Sequence, residues 1–142
     1  MFNKILVVCV GNICRSPSGE YLLKELLPNK VIASAGVGAL VGKPADKLAC
    51  SVATEHGISL EGHQARQLTA ELCRDFDLIL VMEHRHINAV TEIAPEVRGK
   101  TMLLSHWSGK QDIPDPYRQS REAFEHAYQL IEKSAAAWAN KL

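Results

Sequence analysis

Cys9 and Arg15 stand with five residues between them in "CVGNICRSP", residues 9–17. A thiol and a guanidinium at that spacing suit attack on a phosphorus centre. The arginine fork matches two phosphate oxygens, and a thiolate is the reactive form of cysteine. A tight loop between them can turn successive backbone N–H groups inward, making a receptor for a phosphate-sized anion. The positive end of a helix beginning just after the loop would add to it. Gly11 permits unusual backbone angles, and Asn12 tolerates a left-handed conformation. Val10, Gly11, Asn12, Ile13, Cys14 and Ser16 are therefore expected to form the phosphate site, with the Ser16 hydroxyl donating to the Cys9 sulfur. The same amides and Arg15 favour the thiolate at Cys9. Arg15 and the amides also neutralise the equatorial oxygens, so the chemistry calls for no metal and no cofactor. A departing alkoxide or phenoxide needs a proton. "DIPDPYR" (112–118) offers Asp115, held between Pro114 and Pro116. Alone, Pro-Asp-Pro reads as a surface turn; beside Cys9 and Arg15 it reads as a general acid.

These residues need a scaffold. "ILVVCV" (5–10) is a short, continuous, β-branched run that suits a strand buried on both faces of a parallel sheet. Ser16-Pro17 looks like a helix start, serine at the cap and proline at the first helical position. Leu22, Leu23, Leu26 and Leu27 recur at helical spacing before Pro28. "VIASAG" (31–36) reads as a second strand, and "KPADKLACSVATEHG" as a helix stopped at Gly57. "TAELCRDF" is a short helix, "DLILVM" (77–82) a third strand, "HRHINAVTEIA" a helix ended by Pro95, and "KTMLL" (100–104) a fourth strand. In the tail, Phe124, Ala127, Ile131, Ser134 and Trp138 share one helical stripe. The alternation predicts an α/β fold: one domain over residues 1–142, a four-stranded parallel sheet with helices on both faces. Ligands of such folds sit at the carboxyl ends of the strands, where Cys9 lies.

The chain has 142 residues, 46% of them hydrophobic and 23% charged, with sixteen basic residues against sixteen acidic ones. Zero net charge argues against nucleic acid or an anionic membrane surface as the main partner. "MFNKILVVCV" runs into Gly-Asn and charges rather than a signal-peptide cleavage site. No apolar stretch reaches the ~18 residues of a membrane helix. The expectation is a cytoplasmic monomer with reduced thiols. Cys50 and Cys73 are expected as small buried hydrophobes, with no zinc-ligand spacing among the four cysteines. "GVGALVGKP" (36–44) imitates a nucleotide loop, but five residues rather than four precede Gly42-Lys43, and Pro44 replaces the Ser/Thr. His84 and His86 stand two apart, off the i, i+4 ligand spacing, and read as exposed polar residues. Trp107 and Trp138 read as packing residues.

C-x-G-N-x-C-R-S-P near the N-terminus, joined to D-P-Y at 115–117, resembles the low-molecular-weight protein tyrosine phosphatases. "SAG" (34–36), "HQAR" (63–66) and "DLILVME" (77–83) extend the likeness over essentially the whole chain. The resemblance implies a nucleophile that becomes phosphorylated at Cys9, a phosphate and transition-state ligand at Arg15, and a general acid then base at Asp115. It further implies a loop brace at Asn12, a supporting hydroxyl at Ser16, an aromatic wall at Tyr117 and a loop-holding histidine at His63. Cys14 matches a cysteine that can pair with Cys9 as a reversible shield against over-oxidation. Arg118 stands where animal members carry a second tyrosine, Glu83 where many members have aspartate, and Leu40 where animal members place an aromatic residue. The pattern is similar to the enterobacterial branch linked to capsule and exopolysaccharide production. That branch implies, as substrate and partner, the phosphotyrosine-rich tail of a membrane tyrosine autokinase. Two rivals are disfavoured. A thioredoxin-coupled arsenate reductase would need two further cysteines after the third strand, and none follows Cys73. An inactive phosphotyrosine-binding module would lack the nucleophile or the acid, and both are present.

Overall fold

A computed structural model describes residues 2–142; Met1, the first residue of the single-domain reading, lies outside them. Four strands, β1 (Lys4–Cys9), β2 (Val31–Gly36), β3 (Leu78–Val81) and β4 (Thr101–Leu103), form one all-parallel sheet in the order β2-β1-β3-β4. The central β1 is buried on both sides, because its alternate residues feed two cores. Ile5, Val7 and Cys9 face α1 (Arg15–Leu26), α2 (Lys47–Glu55) and α5 (Arg121–Ala139). Leu6 and Val8 face α3 (Ala70–Asp75) and α4 (His84–Ile93). The predicted stripe of α5 is buried throughout, from Phe124 to Trp138. The expected α/β sandwich with helices on both faces is what forms. Among the described residues, no helix is long and apolar enough to cross a membrane.

Several local expectations change. Helix α1 begins at Arg15, with Cys14 in the cap position and no side-chain cap. Ser16 does not cap it, because its hydroxyl is drawn into a buried network described below. Helix α2 starts at Lys47, capped by Asp46 Oδ1 on the Leu48 amide, rather than at Lys43. Gly57 follows it in the left-handed conformation, φ 83°. Leu104 leaves the fourth strand for a 3₁₀ turn, Leu104–Trp107. That turn leaves Trp107 46% exposed, with Lys141 over its ring, while Trp138 is buried and donates to Leu103 O. Cys73 is fully buried as expected, but Cys50 is only half-buried. His86 overturns the expectation of an exposed residue: it is 2% exposed, folded back under the start of α4.

Candidate active site

The β1–α1 loop, residues 10–14, owes its shape to what holds its outer side. Five consecutive carbonyl oxygens accept bonds from elsewhere in the chain. Cys9 O takes the Val37 amide, Val10 O takes Gly38, Gly11 O takes Leu40 and Ile13 O takes Asp46, at 2.8–3.0 Å. Asn12 O faces His63 Nε2 at 2.7 Å. With the carbonyls turned outward, the amides of Gly11 to Cys14 donate to no acceptor among the described residues. Of these residues Gly11, Ile13 and Cys14 line a cleft of about 140 Å³, together with Cys9, Arg15, Leu40, Asp115 and Tyr117, while Asn12 lies fully buried behind them. Unpaired amides in a buried loop at a helix N-terminus form an anion receptor.

The left-handed residue of this loop is Asn12, φ 60°, rather than Gly11, which has no positive φ. Asn12 is fully buried and spends its side chain as a brace. Its Nδ2 donates to Ser16 Oγ (2.8 Å) and Ser34 Oγ (2.9 Å), and its Oδ1 accepts the Arg66 amide (2.9 Å). Those bonds offset the cost of αL for a residue with a side chain. Ser16 Oγ lies 2.9 Å from Cys9 Sγ; since it accepts from Asn12, its own hydrogen is free for the sulfur. Ser34 donates in turn to the buried Glu20 carboxylate. Sequence reasoning missed Ser34 and Glu20, and missed Gly36, which pairs with Cys9 across the sheet. A Cβ on Gly36 would collide with Val10 O and crowd Asn12 N at 3.1 Å. The only sequence signal for them was "SAG" within the family likeness.

Arg15 is 1% exposed. Its Nη1 donates to Glu83 Oε2 (2.6 Å) and to Ile113 O (2.8 Å), and its Nη2 lies 3.6 Å from Asp115 Oδ2. One guanidinium thus ties α1 to the start of α4 and to the loop that carries Asp115. Its Nε has no partner. Burial pushes Glu83 up, but the Arg15 hydrogen bond and charge, with Arg85 and His86, outweigh it and hold its carboxyl below the usual range. Burial, then repulsion by Arg15, lowers His86 to about 4. Asp115 is 38% exposed at the cleft mouth, and its Oδ1 accepts the Tyr117 amide at 3.1 Å. Ile113 N donates to Met82 O, and Asp112 accepts the His84 amide, so the loop before Asp115 is pinned at two points. Leu40 and Tyr117 stand on the cleft walls. Desolvation, then Asp46, Cys9 and Asp115, pushes the Cys14 thiol far up, so it stays protonated beside the loop.

Residues 4–142 match the family model described as low molecular weight phosphotyrosine protein phosphatase. The chain is 63% identical over 142 residues to the low molecular weight protein-tyrosine-phosphatase Wzb of Salmonella typhimurium, covering all of this chain and 95% of that one. It superposes on the solved structure of Vibrio vulnificus Wzb in complex with benzylphosphonate with a TM-score of 0.98, at 63% identity and full coverage of both chains. A more distant structure, the YwlE arginine phosphatase from Geobacillus stearothermophilus, matches at 35% identity and TM-score 0.92, covering 99% of this chain and 92% of that one. The cleft at the end of β1 therefore sits in a fold and a sequence shared over their full length, and the chain belongs to the low-molecular-weight phosphotyrosine protein phosphatase family.

Proposed function

We propose that the chain hydrolyses phosphotyrosine in proteins through a cysteinyl-phosphate intermediate. One observation carries the reading: Gly11, Ile13 and Cys14, whose amides have no acceptor among the described residues, line the same cleft as Cys9 and Arg15. Cys9 attacks phosphorus in line with the tyrosine oxygen. The amides and Arg15 take the charge that gathers on the equatorial oxygens. Asp115 gives its proton to the leaving phenoxide, then takes one from the water that cleaves the intermediate. Asn12 braces the loop, Ser16 supports the thiolate, and His63 holds the loop from outside. Cys14 pairs with Cys9 under oxidation as a reversible shield.

The apolar walls, Ile13, Leu40 and Tyr117, suit a flat aromatic ring. Asp115 is the cleft's one carboxylate among the described residues, so a phosphoarginine guanidinium would compete with the acid for its partner. The benzylphosphonate bound by the Vibrio relative, an aromatic ring one carbon from phosphorus, supports the aryl reading. The protein substrate is read as the tyrosine-rich tail of a membrane autokinase in capsule or exopolysaccharide production, which the likeness to Wzb supports. Cys9, Arg15 and Asp115 all come from one chain, which supports action as a monomer; the reading keeps it in the cytoplasm.

The test is a series of aryl phosphates of graded leaving-group acidity, with phosphoarginine as comparison, given to wild type, Cys9→Ser and Asp115→Asn. Cys9→Ser should lose turnover by several orders of magnitude and yield no acid-labile thiophosphate. Asp115→Asn should lose ~10²–10⁴-fold on tyrosine phosphate, and much less where the phenol is acidic. Turnover surviving Cys9→Ser removes the mechanism, equal losses along the series remove the acid, and preference for phosphoarginine removes the substrate class.

A further inference from the structure

A second groove, about 380 Å³, opens beside the catalytic cleft and is lined by Ile13, Leu40, Lys43, Asp46, Lys47 and Tyr117 among others. Ile13, Leu40 and Tyr117 also line the cleft, so the two concavities share one wall. A polypeptide whose phosphotyrosine occupies the cleft and which leaves over the exposed Leu40 edge or past Tyr117 therefore runs along this groove.

The groove carries two cations against one carboxylate, and the cations are unspent. Lys43 and Lys47 are both exposed, and neither side chain makes an ion pair or a hydrogen bond among the described residues. The one carboxylate between them, Asp46, is committed through Oδ1 to the Leu48 amide as the cap of α2. Lys47 sits at the first position of that nine-residue helix, and the first turn holds no acidic residue. A lysine at the positive end of a helix opposes the macrodipole, and the Asp46 cap offsets that cost while leaving both ammonium groups without a partner among the described residues.

The groove also cannot drift relative to the cleft. Asp46 N donates to Ile13 O, Lys43 N donates to Leu40 O, and Lys43 O accepts the Ala65 amide, all at 2.8–3.0 Å. The strand of chain that bears the two lysines is therefore bonded directly to the phosphate loop, which fixes their spacing from Cys9.

We propose that this groove is a substrate subsite in which Lys43 and Lys47 bind an anionic side chain of the phosphoprotein, flanking the phosphotyrosine held at Cys9. The proposal rests on the phosphotyrosine reading of the cleft. Its ligand chemistry is an oxyanion on the same polypeptide, either a carboxylate or a second phosphate. The lysines act as specificity residues, adding affinity for the flank while the chemistry at Cys9 stays the same.

The experiment measures kcat/KM for synthetic phosphotyrosine peptides in three sets, identical except that each of the four residues on either side is replaced in turn by alanine, glutamate or a second phosphotyrosine. Within each enzyme the readout is the ratio of the anionic peptide to its alanine counterpart. For two exposed ion pairs that ratio should be roughly three- to tenfold at low salt in wild type at one preferred flank position, and should shrink as ionic strength rises. It should fall to near one in Lys43→Ala/Lys47→Ala and stay at the wild-type value in the remote control Lys133→Ala. A gain with both anions identifies any oxyanion as the ligand, and a gain with the second phosphotyrosine alone identifies a phosphate. If no flank position prefers an anion, or if the preference survives the double substitution, the subsite is overturned. If wild type turns over no phosphotyrosine peptide but hydrolyses another phosphoryl compound, the fault lies in the reading of the cleft instead.

Discussion

Where the Arg15 guanidinium points is decided by Glu83, and Glu83 is in turn set by a residue outside the cleft, His86. The His86 ring accepts the Glu83 amide hydrogen at Nδ1 (3.2 Å), which fixes the proton on Nε2, 3.6 Å from the Glu83 carboxylate. Arg15 and Arg85 charge the same pocket, with Asp112 beyond them. Burial and the Arg15 charge hold His86 neutral, lowering it from 6.5 to about 4. The folded state therefore resists a proton that the unfolded chain accepts at pH 6.5. Stability from this site is complete above that pH and is lost as pH falls from 6.5 toward 4. Between pH 7 and pH 5 the loss should be roughly 2 kcal/mol. His86→Gln keeps an acceptor suited to this capping position while removing the titration. Urea unfolding of that variant should show a flatter pH dependence over this interval than wild type; identical slopes would mean that His86 does not titrate as the geometry requires.

At the scale of elements, β1 and β2 present the loop and the brace side by side. Cys9 pairs with Gly36, and Val7 with Ser34, so the register alone brings Ser34 under Asn12. Gly36→Ala should cost about 2 kcal/mol or more, because the new methyl meets backbone at Val10 and Asn12 rather than a yielding side chain. It should also lower kcat by shifting the loop amides. Denaturant unfolding alongside kinetics checks both, and an active Gly36→Ala of wild-type stability would show that the loop has slack. Much of this layer was legible in sequence. "ILVVCV" and "DLILVM" read as strands because burial on both faces demands unbroken apolar runs, and the tail stripe read as a helix because one face is covered. That Cys9, Arg15 and Asp115 share one cleft was legible because motif and chemistry agreed. Ser16 misled as a cap because its real partners, Cys9 and Asn12, lie in the loop before it. His86 misled because only the fold supplies Glu83's amide and the cover above it. Gly36, Ser34 and Glu20 act through contacts 14 to 26 residues away in the chain, which strand register creates and local pattern does not carry.

For the whole molecule, Arg15 is the point where separate parts of the chain meet. With zero net charge the protein has no overall field to attract an anion, so the affinity must come from local groups. Arg15 supplies the charge and also joins the first helix, the β3–α4 junction and the Asp115 loop through Glu83, Ile113 and Asp115. Removing it alone strands the Glu83 carboxylate in a site that is 12% exposed. Arg15→Met should therefore destabilise by about 3 kcal/mol or more, beyond the loss of catalysis. Glu83→Gln alone leaves a buried cation with only the longer, more exposed pair to Asp115 and should also destabilise. The double variant removes both charges at once, so its cost should fall short of the sum by at least about 1 kcal/mol. Thermal unfolding with inorganic phosphate separates structure from binding. A ligand that binds only the folded state raises Tm as its concentration passes Kd. Wild type should show that rise, Glu83→Gln a smaller one through a misdirected guanidinium, and the double variant none, even though its fold is partly restored. Additive stabilities would mean that Arg15 and Glu83 are neighbours without coupling, and a phosphate response in the double variant would mean that the loop amides suffice to bind the anion without the arginine.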